Sequence, residues 1–292
     1  MKPAQFDYFA PAKIRDALAL LEEYKDEAKI LAGGQSLMPL LNMRLARPRA
    51  LIDINRITSH SYIRRENSVL AIGALTRHRE IETSPLVRQK CPVLAEAVRW
   101  IGYPQIRNRG TMGGSLAHAH PAAELPAVVT ALRGELRVIG PAGERTVKAE
   151  EFFQGFFTVA LEPNEILSEV RLALWPKNAG FSFKEINRRH GDFAIAGVAA
   201  LISLNERKEC AESSLVLAGV NPTPLRAKRS EKLLKGRKIT RDIIETAAAL
   251  AAEDSDPPSD VHGSADYRRE LVKVIVRRAL EEAGARAMQN EK

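Results

Sequence analysis

The sequence predicts an α+β protein in two parts: an α/β N-terminal portion, then a small antiparallel sheet covered by helices. Three observations carry this. Lys29 to Ile54 reads as strand, double-glycine turn, helix and strand. Trp175 to Gly180 is polar and rich in helix breakers, which marks a boundary. Beyond it, strand-like runs come first and helical ones last, the order of an α+β domain. A chain of 292 residues suffices for two domains, each with its own core.

Taken in order, Ile14, Leu18, Leu21 and Tyr24 have helical spacing and predict a helix over 13–24. Ile30 to Ala32 is a short apolar run read as a strand. It breaks at Gly33-Gly34, where the backbone can take φ > 0 and no side chain blocks a ligand. Ser36 offers a hydroxyl N-cap to a helix over Leu37 to Leu45, and Pro39 is tolerated in its first turn. Pro48 closes the segment before a second strand, Leu51 to Ile54. Such a unit makes a cradle of free N–H groups backed by a helix dipole, and the ligand chemistry it suits is phosphate.

Val69 to Leu75 reads as a strand, Thr76 as the cap of a helix over 77–82, and Val93 to Trp100 as a further helix. A second double glycine, Gly113-Gly114, is flanked by the hydroxyls of Thr111 and Ser115. The helix after it opens at Pro121, with Leu125, Val128, Val129 and Leu132 on one face. One such loop marks only a turn. Two of the same make suggest one pyrophosphate held from two sides, as a dinucleotide requires.

Leu136 to Ile139 and Arg145 to Val147 flank the turn Pro141–Glu144 and predict a hairpin. Phe152, Phe153, Phe156 and Phe157 form the densest aromatic cluster, read as core or subunit interface. Val170, Leu172 and Leu174 alternate with polar residues, as in a half-buried strand. Past the boundary, strands begin at Phe181 and cover Ala194 to Leu204 and Leu215 to Val220. Three helices close the chain: Leu225 to Leu234 ending at Gly236, Arg241 to Ala252 capped by Thr240, and Ala265 to about Ala287 capped by Ser264.

Composition narrows the function. At 45% hydrophobic and 27% charged the chain has the balance of a soluble globular protein, with no signal-peptide core and no membrane span. Cys91 and Cys210 are its only cysteines, too few for a disulfide framework, a cysteine zinc site or an iron–sulfur cluster. The cytoplasm is the expected compartment. The net charge of +8 comes from 44 basic and 36 acidic residues that are interspersed, and aromatics are only 5%. That argues against nucleic acid and for an anionic cofactor or an acidic partner.

Several constellations fail on inspection. Neither glycine loop reads GxGxxG, so a nicotinamide-type Rossmann domain is not expected. His118, His120 and Glu124 could each ligate a metal, but no further His–acid cluster completes a site, and no metal ligand is assigned. Glu124 has an ordinary reading as a first-turn acid favoured by the helix dipole. No Ser-His-Asp or Cys-His set is readable, and no catalytic residue is assigned.

In this order, AGGQSLMPLLNMRLARP with LIDI, and PQIRNRGTMGGSLAHAHPAAELPA, resemble the FAD-binding medium subunit of the carbon monoxide dehydrogenase and xanthine dehydrogenase family of molybdenum hydroxylases. The ending SADYRRELVKVIVRRAL resembles that family's C-terminal domain, so the likeness runs along almost the whole chain. It implies a two-lobed FAD-binding domain of the vanillyl-alcohol oxidase (PCMH) type over 1–176, with lobes of about 1–56 and 57–176, and a C-terminal domain over 177–292.

It also implies noncovalent FAD, with Ala32, Gly33, Gly34, Gln35 and Ser36, and Thr111, Met112, Gly113, Gly114 and Ser115, around the pyrophosphate. Further contacts fall on Ile101, Glu124, Leu161 and Lys184. Glu124 stands where the family usually has Asp, His120 replaces a commoner Asp, Gln35 a frequent His, and Phe193 a frequent Tyr. The implied partners are a small subunit with two [2Fe–2S] clusters and a large molybdopterin subunit, in a dimer of heterotrimers. The implied role is to pass electrons from the clusters through FAD to a terminal acceptor. A free-standing flavin oxidoreductase of the same fold, or a scaffold that has lost its flavin, fits the same motifs.

Overall fold

Three main sheets succeed one another along the chain. The structure, a computed structural model, describes residues 2–290. The first sheet is parallel, with Ala50–Asp53 between Asp7–Phe9 and Ala28–Leu31. Parallel strands need crossovers, and the helices Ile14–Tyr24 and Leu37–Asn42 provide them. The first buries Ala17 and Leu21 in the core of this lobe, with Ala50 and Ile52.

The second sheet is antiparallel, in the order Ile63–Glu66, Val69–Gly73, Ile166–Ala173, Glu135–Gly140 and Gly143–Lys148. Short helices between residues 78 and 131 pack on it, and the helix Glu124–Ala131 is buried on every side. The third sheet runs Gly180–Ile186, Ala196–Leu204, Cys210–Ala218 and Leu225–Arg226, all antiparallel. Every residue of Ala196–Leu204 is buried because both faces are covered. Ala199 and Leu201 join the core under Glu124–Ala131, while Val198 and Ala200 pack on the helices Arg241–Asp254 and Ala265–Gln289. Glu96 fastens the two parts together by accepting from the Phe183 N–H at 3.0 Å and pairing with Arg286 at 3.2 Å.

The structure moves several boundaries. The second helix stops at Asn42 rather than Leu45, and Ser36 precedes it without a side-chain cap. Thr76 caps nothing: its hydroxyl exchanges hydrogen bonds with the backbone of Tyr62, and the helix begins at His78. The helix expected from Pro121 begins at Glu124. Leu225 and Arg226 form an edge strand, leaving a helix over Lys228–Leu234. The four phenylalanines divide, Phe152 and Phe153 entering the core while Phe156 and Phe157 stay exposed on the turn between two short strands. Among the described residues, no helix is long and apolar enough to cross a membrane.

Candidate functional site

The two glycine loops, far apart in sequence, meet at the joint between the first two sheets. Gly33 lies on the backbone of the second loop: a Cβ there would stand 2.5 Å from the Arg109 carbonyl oxygen and 2.8 Å from the Gly110 Cα. A Cβ on Gly114 would come within 4.0 Å of that of Ala32. The structure thus brings Ala32 to Ser36 and Thr111 to Ser115 to one place.

The loops are built differently. In the first, Gly34 takes φ +74°, a left-handed conformation that favours glycine. Among the described residues, the N–H groups of Gly33, Gly34, Gln35 and Ser36 have no acceptor within the chain. Gln35 turns its amide back to donate to the Gly33 carbonyl at 2.9 Å. These N–H groups lie in the segment for which the sequence predicts an anion cradle.

The second loop is not of the same make. Neither of its glycines has positive φ, and Met112–His118 is already helix. The N–H groups from Met112 to Ser115 are spent inside the chain: Met112 donates to Thr76, Gly113 to Ala74, Ser115 to the Thr111 carbonyl, and Gly114 to the Thr111 hydroxyl at 3.1 Å. Gly113 is glycine for packing, since a Cβ there would press to 2.6 Å on that of Ala74. Thr111 and Met112 are buried, while Gly114 and Ser115 stay partly open. This loop offers a close-fitting wall and the Ser115 hydroxyl rather than a row of donors.

A third wall comes from the C-terminal sheet. The Gly219 N–H donates to the Pro121 carbonyl, which ties the 119–123 turn to that sheet. His120 stacks on Phe193 with ring centroids 3.7 Å apart, and both His118 and His120 lie against Phe157. Burial pushes His120 down to about 4, so its imidazole is neutral at ordinary pH. Phe193, which has no hydroxyl to donate, meets His120 through ring packing alone.

Beneath this wall two carboxyl groups are buried. Glu124 is 5% exposed, and burial pushes it up to about 7. Glu185 is 8% exposed and rises to about 9 through burial and the neighbouring Glu124. One Glu185 oxygen accepts from Asn187 at 2.9 Å, while the other is buried without a partner. At neutral pH Glu185 is therefore an uncharged acid with an O–H to donate. A strand pattern with one acid in it does not announce this, and the sequence reading passed over Glu185.

The remaining expected contacts are spread more widely. Ile101 is partly buried beside the central core, and its carbonyl accepts from Arg107 at 3.1 Å. Leu161 packs on the same core. Lys184 lies on the opposite face of its strand from Glu185, with its ammonium 2.6 Å from Glu282. The structure does not bring Lys184 to Glu124. Cys91 and Cys210 are buried free thiols, and burial pushes Cys91 up to about 12. Among the described residues no three His, Cys, Asp or Glu side chains gather as metal ligands.

Comparison with known proteins bears on this geometry. Residues 4–175 match the family described as the FAD binding domain in molybdopterin dehydrogenase, and residues 181–283 the CO dehydrogenase flavoprotein C-terminal domain. The chain is 43% identical over 287 residues to subunit alpha of the 6-hydroxypseudooxynicotine dehydrogenase complex of Paenarthrobacter nicotinovorans, covering 98% of this chain and 97% of that one. It is 39% identical to the carbon monoxide dehydrogenase medium chain of Hydrogenophaga pseudoflava, covering 98% and 99%. A solved carbon monoxide dehydrogenase from that organism superimposes with a TM-score of 0.96 at 39% identity, covering 98% of this chain and 99% of that one. Quinoline 2-oxidoreductase of Pseudomonas putida 86 gives 0.94 at 35% identity, covering 99% and 100%.

Proposed function

The chain belongs to the FAD-binding medium subunits of the molybdenum hydroxylases, and on that premise we propose that it passes electrons from the [2Fe–2S] clusters of a small partner subunit to a terminal acceptor. The observation that carries the reading is the backbone contact of Gly33 with Gly110, which sets four free N–H groups across from a close-packed helix start. That space suits a diphosphate: donors on one side, no side chain in the way, and a helix dipole on the other.

In this reading Ala32 to Ser36 and Thr111 to Ser115 hold the pyrophosphate, and Ile101, Glu124 and Leu161 line the rest of the cleft. Lys184 joins them only by leaving Glu282. FAD, held noncovalently, supplies the redox chemistry, and the protein supplies its binding, orientation and surroundings. No side chain need act as acid or base, because hydroxylation belongs to the molybdopterin subunit. The unit that holds FAD occupies 1–176, and 177–292 closes the cleft from the far side. The complex is a dimer of heterotrimers in the cytoplasm.

The test is reconstitution. Chain freed of flavin is titrated with FAD, with FMN and with riboflavin. Tight binding of FAD alone is the expected result. Equal binding of all three would overturn the pyrophosphate assignment, and a chain that takes up no flavin would leave only the scaffold reading. Co-purification with iron and molybdenum on two further subunits separates the subunit from a free-standing oxidoreductase.

A further inference from the structure

A line of hydrogen bonds runs between the two glycine loops without entering the cleft. It starts at Tyr8, whose hydroxyl donates to Asp53 at 2.7 Å. The other Asp53 oxygen accepts from the Asn55 backbone and side-chain amides, at 2.9 and 2.6 Å. The same side-chain amide of Asn55 donates to the Ala32 carbonyl at 2.8 Å, which holds the entry to the first loop. The side-chain oxygen of Asn55, Oδ1, accepts from Arg77 Nη2 at 2.6 Å. Arg77 Nη1 in turn donates to the Arg109 carbonyl at 2.5 Å, which holds the entry to the second loop.

The direction of this line is fixed at both ends. Asp53 accepts and Arg77 donates, so Asn55 can face them in one orientation only, since the reverse would set donor against donor. The planar fork of Arg77 reaches two acceptors from two nitrogens, a geometry an ammonium cannot copy. The Arg109 carbonyl that Arg77 grips is also the atom on which Gly33 rests. Asn55 and Arg77 are both half-buried, so the bonds are partly shielded from water.

From this geometry we infer that Asn55 and Arg77 are positioning residues: a strut that sets the spacing of the two loops before cofactor arrives. Neither residue is among those expected to touch FAD. Without the strut, the loops keep the packing of Gly33 on Arg109 and Gly110 and of Gly114 beside Ala32 but lose their hydrogen-bonded link, and binding must supply the order that the strut now provides. The inference rests on the pyrophosphate reading for its consequence in affinity, but not for the link between the loops.

The experiment uses the full chain freed of flavin, with Asn55→Ala, Arg77→Lys, Arg77→Met and the double variant Asn55→Ala/Arg77→Met. FAD affinity is expected to fall about tenfold in each single variant. The double variant should be little worse than either, because both break one line. Arg77→Lys should not restore affinity. If Arg77 acts instead as a bare charge on phosphate, Lys rescues binding and the loss fades at high salt, which would overturn the strut.

The second readout needs no cofactor. Amide hydrogen exchange at Gly110 to Ser115 should quicken in Asn55→Ala, although Asn55 bonds directly only to Asp53, Ala32 and Arg77, at unchanged melting temperature. Unchanged exchange there, or additive losses of affinity, would overturn the inference. Quickened exchange in a chain that binds no FAD would uphold the strut and strike the pyrophosphate reading alone.

Discussion

The two glycine loops share their letters and differ in their physics. At Gly33-Gly34 the backbone is left open: Gly34 takes a left-handed φ, Gly33 makes room for the Arg109 carbonyl, and among the described residues four N–H groups have no acceptor within the chain. At Gly113-Gly114 glycine serves the fold: helical backbone, N–H groups consumed inside the chain, and a Cβ excluded by Ala74. A double glycine in sequence therefore marks a place where backbone comes close to something. It does not say whether that something is a cofactor or the protein itself.

The harshest way to break this comparison is to separate the loops. Gly33→Val would drive its Cβ into the Arg109 carbonyl, a backbone atom that cannot swing away as a side chain could. The expected result is a loss of FAD affinity of at least about 100-fold, or about 2.7 kcal/mol. The fold should survive, since Gly33, though buried, lies in a loop outside every helix and strand and the strain falls on that loop and its neighbour. Flavin titration beside a circular dichroism melt reads both, and unchanged flavin occupancy would break the claim that the loops enclose one ligand.

Acidity sharpens the comparison with the far wall, beneath which two carboxyl groups are buried. The Glu185 carboxyl stays protonated up to about 9, against an ordinary value of 4.5. Below pH 4.5 folded and unfolded chains are both protonated there, so its contribution to stability is fully present. As pH rises towards 9 the unfolded chain releases a proton that the folded chain keeps, and stability is lost. Glu185→Gln should remove that slope and leave the variant ahead of wild type by most at high pH, in melts from pH 5 to 9. Parallel curves would show that Glu185 ionises freely.

His78 makes the second loop sensitive in the opposite direction. Its Nε2 lies 2.9 Å from the Thr111 carbonyl, which can only accept, so Nε2 carries the proton. Nδ1 is buried without a partner, and burial pushes the imidazole down to about 4. Stability from this group is present above about pH 6.5 and is lost as pH falls towards 4, while the unfolded chain gains a proton that the folded one refuses. His78→Gln keeps a donor for Thr111 without the titration. It should flatten that fall between pH 6.5 and 4, and flavin should be released at lower pH than from wild type.

Much of the architecture is legible in the sequence because periodicity reports burial. The alternation at Val170 to Leu174 becomes the end of a central strand with Val170 and Leu172 buried and Arg171 and Ala173 more open, and the apolar run of Ala194 to Leu204 a strand buried on both faces. The helix ends are less legible. Ser36 and Thr76 both look like caps, yet Ser36 makes no cap bond and Thr76 is held by Tyr62, a long-range partner that local pattern does not encode. The strut is hidden for the same reason. Asn55 and Arg77 each sit just past a strand end, where the residue type is unremarkable until the other loop is seen beside it. Glu185 escapes because strand alternation shows which face a residue takes but not that its neighbour is another acid.

The gentlest variants test the difference between the loops most directly. Thr111 caps its helix through a real bond to the Gly114 N–H, and Ser36 has no such bond to lose. Thr111→Ala should therefore cost about 1 kcal/mol of stability, the usual effect of removing an N-cap. Ser36→Ala should leave stability within about 0.5 kcal/mol of wild type, as at a surface site without such a feature. Cofactor affinity should separate the pair in another way. Thr111→Ala frees the Gly114 N–H beside the cleft and gives the second loop a donor it lacked, which offsets the looser helix start. Ser36→Ala removes a hydroxyl from the loop whose N–H donors have no acceptor among the described residues, so its flavin affinity should fall by a few-fold while its melting curve stays put. Equal stability losses in the two variants would mean that both hydroxyls are caps, and the distinction between a loop with open donors and a loop with spent ones would fail.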